Sequence, residues 1–253
     1  MAAIHDAIQA HDLDKLKKVL MGDPSQVALC NSLEETPLHR AVWEGQLEMA
    51  ALLIEVGADV NAVELNDENT PLHYAAHEDP PAALAELLIR KGADIEKRNS
   101  AGETPLIVAA MRNPDVAEVL IGAGARYDLN SAIFLGDIDR ARASLKEDPK
   151  LQRVRFPDLL LDSALRRGSK DIVELLLTHG VDPNRGAPPV FTAVTRTLNN
   201  PTGDMKVLRL LLQHGADVNR RSQGMSVVDF VRKFHSKNTR KVLALLKKHG
   251  AEE

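Results

Sequence analysis

The sequence predicts an all-α fold: a solenoid of about eight stacked helix-pair units joined by β-hairpin or turn loops. Three observations carry this expectation. The tetrapeptide Thr36-Pro37-Leu38-His39 returns as Thr70-Pro71-Leu72-His73, and nearly again as Thr104-Pro105-Leu106-Ile107, at an even spacing of 34 residues. The first two copies close on Gly57-Ala58-Asp59 and Gly92-Ala93-Asp94. A small side chain then keeps the phase along the chain at Ala7, Ala41, Ala75, Ala109, Ala132, Ala164 and Ala193, with Val231 in the last position. Self-similarity at such a period marks a repeat architecture, in which each repeat buries its apolar face only against its neighbours.

The opening stretch MAAIHDAIQAHDLDKLKKVL reads as an amphipathic helix, and Asp6, Asp12 and Asp14 break the uncharged run that a secretory signal needs. In the second repeat Thr36 is a natural N-cap, and Pro37 suits the first helical position, where no N–H is needed. That helix should stop near Gly45. The next, from Leu47 to Ile54, is apolar on more than one face, as a helix held between neighbours is. Gly57 should end it in the left-handed conformation, with Asp59-Val60-Asn61 leading out. The third and fourth repeats restart at Thr70 and Thr104.

Between Gly124 and Ala132 there is no room for the usual hairpin, so a short turn should join the fourth and fifth repeats. The fifth repeat, AIFLGDIDRARASLKEDP, echoes the first, AIQAHDLDKLKKVLMGDP, at a constant offset of 125, with Asp23-Pro24 falling on Asp148-Pro149. The chain thus reads as two halves, 1–128 and 129–253, of four repeats each within one continuous solenoid. The shortened junction would let them unfold as separate blocks. In the last three repeats His179-Gly180, His214-Gly215 and His249-Gly250 end helices at a spacing of 35. The stretch TLNNPTGD, starting at Thr197, reads as an exposed inserted loop. The outer repeats diverge, as terminal repeats facing water do, and Lys247, Lys248, Glu252 and Glu253 suit a polar cap.

Composition narrows the class. Hydrophobic residues make up 44% and charged residues 27%, a globular balance, and no apolar run approaches the roughly 18 residues of a membrane-spanning helix. The single cysteine, Cys30, cannot form an internal disulfide, and the triplet Asn200-Pro201-Thr202 is barred from glycosylation by its proline. Both point to the cytoplasm, or the nucleus of a eukaryote. The formal charge of −4 is unevenly divided: residues 1–128 hold 10 Lys+Arg against 22 Asp+Glu, a net of −12, and residues 129–253 hold 22 against 14, a net of +8. Such a division can steer charged partners. It also leaves head-to-tail self-association as the alternative to a monomer.

The Thr-Pro-Leu-His phase, the paired helices and the Gly-Ala-Asp endings resemble the ankyrin-repeat family along essentially the whole chain. The resemblance implies that first helices line a concave face, that hairpin tips project beyond it, and that the two residues before each first-helix glycine point into the groove. Those residues are Trp43 and Glu44, His77 and Glu78, Met111 and Arg112, Phe134 and Leu135, Arg166 and Arg167, then Thr195 and Arg196. Leu33 and Leu65 fall at tips beside Trp43, and Arg98, Ser100, Ala101 and Glu103 take outward tip positions. Trp43, the only tryptophan, stands in a slot the family leaves variable, and tryptophan is over-represented among interface hot spots.

Chemistry-bearing motifs give little. His73 and His77 are four apart, a spacing that can hold zinc, but the motif slot of His73 implies structural hydrogen bonding and no third ligand lies close in sequence. Cys30 has no basic cluster near it to activate the thiol. Asp59, Asp94, Asp182 and Asp217 recur at one phase, as do Asn61, Asn184 and Asn219. Recurrence speaks for a scaffold, since a catalytic acid is needed once. The expectation is a non-enzymatic scaffold or adaptor that binds another protein, without metal or cofactor. The alternative is a phosphate-bearing ligand or nucleic acid along Arg166, Arg167, Arg196, Arg220 and Arg221. Scarce aromatics count against single-stranded nucleic acid.

Overall fold

The computed structural model describes residues 3–147, 157–199, 205–234 and 236–252. Among them are sixteen α-helices: α1 Ala3–Gln9, α2 Leu13–Gly22, α3 Pro37–Trp43, α4 Leu47–Glu55, α5 Pro71–Ala75, α6 Ala82–Arg90, α7 Pro105–Arg112, α8 Pro114–Gly122, α9 Leu129–Leu135, α10 Ile138–Glu147, α11 Pro157–Arg167, α12 Lys170–Thr178, α13 Pro189–Asn199, α14 Lys206–Gln213, α15 Val227–Lys233 and α16 Thr239–Lys248. They form eight pairs, one for each expected repeat. The eight phase-marking residues, Ala7 to Val231, are all buried to within 2% of completely, because each sits where a first helix meets its neighbour. Asp148-Pro149 and the segment Asn200–Asp204 lie outside the described residues.

Two expectations are corrected and one is narrowed. The opening stretch is not one helix but α1 and α2, broken at His11, whose φ of 54° lies in the left-handed region. Asp12 then caps α2 by accepting from the Lys15 N–H at 2.8 Å. The loops are turns: among the described residues no strand forms, and one antiparallel bridge joins Ser222 to Met225. Thr197, Leu198 and Asn199, read as the start of a loop, complete α13, with Thr197 and Leu198 buried.

The chain divides into two compact units, Met1–Tyr127 and Asp128–Glu253. In the N-terminal unit the first helices pack in series, α1 on α3, α3 on α5 and α5 on α7, while α2, α4, α6 and α8 form a second series. The C-terminal unit repeats the plan, with α9 on α11 on α13 on α15 and α10 on α12 on α14. Leu38, Leu53, Leu72, Leu84, Leu88 and Leu120 fill the interior of the first unit; Leu160, Leu176, Leu211 and Leu246 do so in the second. Each fully buried leucine contributes about 1.5–3 kcal/mol by leaving water.

Polar staples join successive repeats. The Asn61 amide donates to the Gly92 carbonyl at 3.1 Å and accepts from the Asp94 N–H at 2.7 Å. Asn184 does the same with Gly215 (2.9 Å) and Asp217 (2.7 Å), and Asn219 with Gly250 (3.0 Å) and Glu252 (2.9 Å). At the corresponding place Glu96 accepts from the Arg126 N–H at 2.6 Å, but a carboxylate has no amide hydrogen with which to complete the pair. The aspartates two residues before, Asp59, Asp182 and Asp217, accept from the asparagine N–H at 2.8 Å and hold each turn in shape. A second set of side-chain amides reaches carbonyls of the preceding repeat: Gln46 to Ile8, Asn113 to His77 and Asn238 to Thr197, at 2.8–3.1 Å. The expected scaffold role of the recurring Asp and Asn is thereby explained.

Candidate functional site

The N-terminal unit carries an aromatic cluster on its first helices. Thr36 caps α3 and Thr104 caps α7 through their side chains, with Pro37 and Pro105 in the first turn. Thr70 and Pro71 start α5 likewise: Nδ1 of His73 accepts from the Thr70 N–H at 3.1 Å and from its hydroxyl at 2.9 Å. The Nε2–H of His73 donates to the Glu103 carbonyl in the next repeat at 3.1 Å, and His39 reaches the Asn69 carbonyl in the same way. Both ring nitrogens of His73 are thus engaged in holding repeats together, which is the structural role implied by its motif slot. Burial pulls its pKa down to about 4, so the ring is neutral at physiological pH, and the pKa of His39 is lowered for the same reason.

Trp43, the last residue of α3, remains 38% exposed. Its indole meets the His77 ring edge-on at 5.1 Å and the Tyr74 ring at 5.7 Å, and Tyr74 lies 6.5 Å from His77. Trp43 and His77 share one repeat phase, and Tyr74 takes the phase of Arg40, so stacking α5 on α3 assembles the cluster. Sequence reasoning missed Tyr74, whose phase is not a groove position and which meets Trp43 only because α5 lies on α3. Such edge-to-face pairs add about 0.5–1.5 kcal/mol beyond burial.

Carboxylates surround the rings. The Tyr74 hydroxyl donates to Glu35 at 2.9 Å, and the Asn31 amide donates to the same carboxylate at 2.7 Å. Burial, and then the Glu35 charge, push the phenol well above its ordinary range. Glu64, also buried, accepts from the backbone N–H groups of Asn66, Asp67 and Asn69 at 2.7–3.1 Å. Neither Glu35 nor Glu64 pairs with a cationic side chain among the described residues. Glu44 is ion-paired with Arg40 and lies 3.8 Å from His11. Glu78 and Asp79 follow His77 in the open. Burial and the Arg112 charge lower the His77 pKa, against the opposing pull of these two acids.

At the tips Leu33 is 54% and Leu65 69% exposed, and the Asn66 amide ties the two turns by donating to the Leu33 carbonyl at 3.2 Å. A pocket of about 220 Å³ opens beside Leu33, lined also by His5, Gln9, Asn31, Ser32 and Arg40. His5 donates through Nε2 to the Leu29 carbonyl at 2.7 Å, which leaves its buried Nδ1 an acceptor with no partner. Of the remaining expected residues in this unit, Met111 is half-buried, Arg112 exposed, and Arg98 exposed while donating to the Gly102 carbonyl at 2.7 Å.

The C-terminal unit departs from expectation. Phe134 is only 3% exposed: it packs into the interior and offers no free surface, a correction to its expected groove position, while Leu135 is half-buried. Arg167 is exposed, and Arg166 is exposed but held by Asp162 at 2.6 Å. Arg196 donates to the Arg166 carbonyl, its guanidinium lying over Gly168. The Thr195 hydroxyl is turned back onto the Phe191 carbonyl at 2.8 Å. Arg220 donates to the carbonyls of Asn184 (2.6 Å) and Gly186 (2.8 Å), and Arg221 to that of Gly224 (2.9 Å). Most of the arginines expected to greet phosphate are therefore finishing turns and helix ends. A half-buried row of Phe191, Phe230 and Phe234, with centroids 5.5 and 4.9 Å apart, went unread in the sequence.

No helix among the described residues is long and apolar enough to cross a membrane. The family model described as "Ankyrin repeats (3 copies)" matches residues 63–132, and "Ankyrin repeat" matches residues 34–64 and 193–223, together just over half the chain. The chain is similar to the chicken nuclear factor NF-kappa-B p105 subunit, 35% identical over 116 residues, covering 46% of the chain and 12% of that protein. It is 32% identical over 139 residues to pig NF-kappa-B inhibitor alpha, covering 52% of the chain and 42% of that protein. Human Rabankyrin-5 is 31% identical over 116 residues, or 42% of the chain and 10% of its own length. The chain thus spans less than half the length of each of these relatives. Phased capping motifs, eight helix pairs and these matches agree: the chain belongs to the ankyrin-repeat family.

Proposed function

We propose that the chain is a non-enzymatic adaptor that binds another protein on the face made by the first helices and turn tips of its N-terminal unit. The carrying observation is the exposed indole of Trp43, held by Tyr74 and His77, in the unit whose turn tips expose Leu33 and Leu65. Isolated exposed leucines are ordinary, but an aromatic anchor with apolar neighbours and a charged rim is how selective protein interfaces are built. His77 and Glu78, Glu44, Arg98, Met111 and Arg112 supply that rim. Ankyrin repeats generally mediate protein–protein contacts, which supports the reading. The phosphate or nucleic-acid alternative has less support, since Arg196, Arg220 and Arg221 donate to the chain's own carbonyls.

The test is an affinity pull-down from the source cell with quantitative mass spectrometry, comparing the wild-type chain with a Trp43→Ala, Leu65→Asp variant. A defined set of proteins should be lost by more than tenfold from the variant, while its melting stays cooperative. Equal recovery by both baits removes this face from the account.

A further inference from the structure

We infer that the occupant of this face is a basic peptide segment of the partner, with one arginine or lysine lying against Trp43 and an apolar neighbour reaching Leu33 or Leu65. The inference rests on the face proposed above and adds the chemistry of what it holds.

The rings supply one reason. Trp43 packs edge-on against Tyr74 and His77, which leaves part of its indole open to solvent. An indole face attracts a cation within about 6 Å of its centroid, more strongly than the other aromatic side chains do. The carboxylates supply the second. Glu35 and Glu64 are buried at 6% and 2% exposure and are satisfied by an amide, a phenol and backbone N–H groups, none of which carries a charge to neutralise them. Their field is felt at Tyr74, as is that of Asp67. In low-dielectric surroundings such charges act over longer distances than they do in water. Glu78 and Asp79 add exposed negative charge next to His77.

The cations on the same face do not reverse the balance. Arg40 is held by Glu44, and Arg98 donates to the Gly102 carbonyl. Arg112, beside His77, and Lys97, felt at His73, are outnumbered by Glu35, Glu64, Asp67, Glu78 and Asp79. Residues 1–128, with their net charge of −12, would steer such a segment in from a distance, and an acidic segment would be repelled.

The sole tryptophan makes the test site-specific, because all indole emission comes from residue 43. The full chain is titrated with a synthetic ten-residue peptide of alternating arginine and leucine, and with its glutamate-for-arginine counterpart. The basic peptide should change Trp43 emission saturably and bind at least tenfold more weakly in 0.5 M than in 0.05 M NaCl; the acidic peptide should do neither. Anisotropy of the labelled basic peptide then compares Glu78→Lys with Glu118→Lys. These make the same change of net charge, but Glu118 lies on α8, in the series of second helices. Only Glu78→Lys should weaken binding, by tenfold or more. Equal weakening by both variants means attraction to bulk charge and overturns the inference, as does the absence of a saturable Trp43 response, or a response to the acidic peptide. If the pull-down set depends on Trp43 yet ignores salt and Glu78→Lys, the face stands and its basic occupant falls.

Discussion

The two compact units are built to one plan and share the asparagine staple, yet the N-terminal unit adds a fastening of its own. The N-terminal unit runs buried histidines from repeat to repeat: His39 and His73 each take a threonine cap on Nδ1 and give Nε2–H to a carbonyl 30 residues on. The C-terminal unit has no Thr-Pro-Leu-His. It caps α9 with Asp128 and α15 with Ser226, and it joins repeats through the half-buried Asn184 and the exposed Asn219 together with arginines that donate to backbone carbonyls. The difference teaches that repeat identity lies in the helix pair and its small phase residue, while the fastening between repeats can be exchanged. It also separates the surfaces: the first unit keeps its aromatics open and acidic, whereas the second tucks Phe134 away and uses its arginines at home.

The comparison is sharpened most by removing one fastener from each unit. His73→Ala should destabilise the N-terminal unit by about 4 kcal/mol, since it leaves a cavity and strips the Thr70 N–H and the Glu103 carbonyl of their partner. Asn219→Ala should cost the C-terminal unit about 1 kcal/mol, because water can reach what the amide releases. Urea denaturation followed by Trp43 fluorescence and by far-UV circular dichroism reads both. Equal losses would mean that the two kinds of fastener are equivalent.

Acid should act on the first unit in particular. The folded pKa of His73, about 4, lies below its ordinary 6.5, so the unfolded chain binds more protons between those values. The contribution is complete above pH 6.5 and is lost as pH falls towards 4, by up to about 3 kcal/mol, with His39 acting in the same direction. A Trp43-reported transition that is flat between pH 6.5 and 4.5 would contradict this.

A small effect of another kind belongs to the C-terminal unit. Gly168 has a φ of +70°, and the Arg196 guanidinium occupies the place a Cβ would take, so Gly168→Ala should cost about 1–2 kcal/mol. Thermal melting of the variant checks it, and an unchanged midpoint would show that Arg196 is a loose fitting there.

Much of this was legible in the sequence, for identifiable reasons. Thr36, Thr70 and Thr104 announce helix starts through local chemistry, and the eight phase residues announce the stack because a helix crossing tolerates only small side chains. Trp43 was legible as exposed because it ends α3 in a slot that the repeat pattern leaves variable. Tyr74 was not, because its importance arises only when α5 is laid on α3. Phe134 misled for the opposite reason: its phase matches that of Trp43, but a repeat position does not reveal what covers it. The arginines of the C-terminal unit misled because charge counted along a chain takes no account of carbonyls waiting at helix ends.

The asparagine staple has a consequence for how such a chain can grow. Each full copy carries both halves of the fitting, an amide reaching forward and, on the following turn, the glycine carbonyl and N–H that receive it. A duplicated segment therefore arrives with its own plug and socket, and can be spliced in register between existing neighbours without redesigning either. Lengthening the array at Asn184 or Asn219 is in this sense pre-wired, whereas at Glu96 a newcomer would find only half a connector.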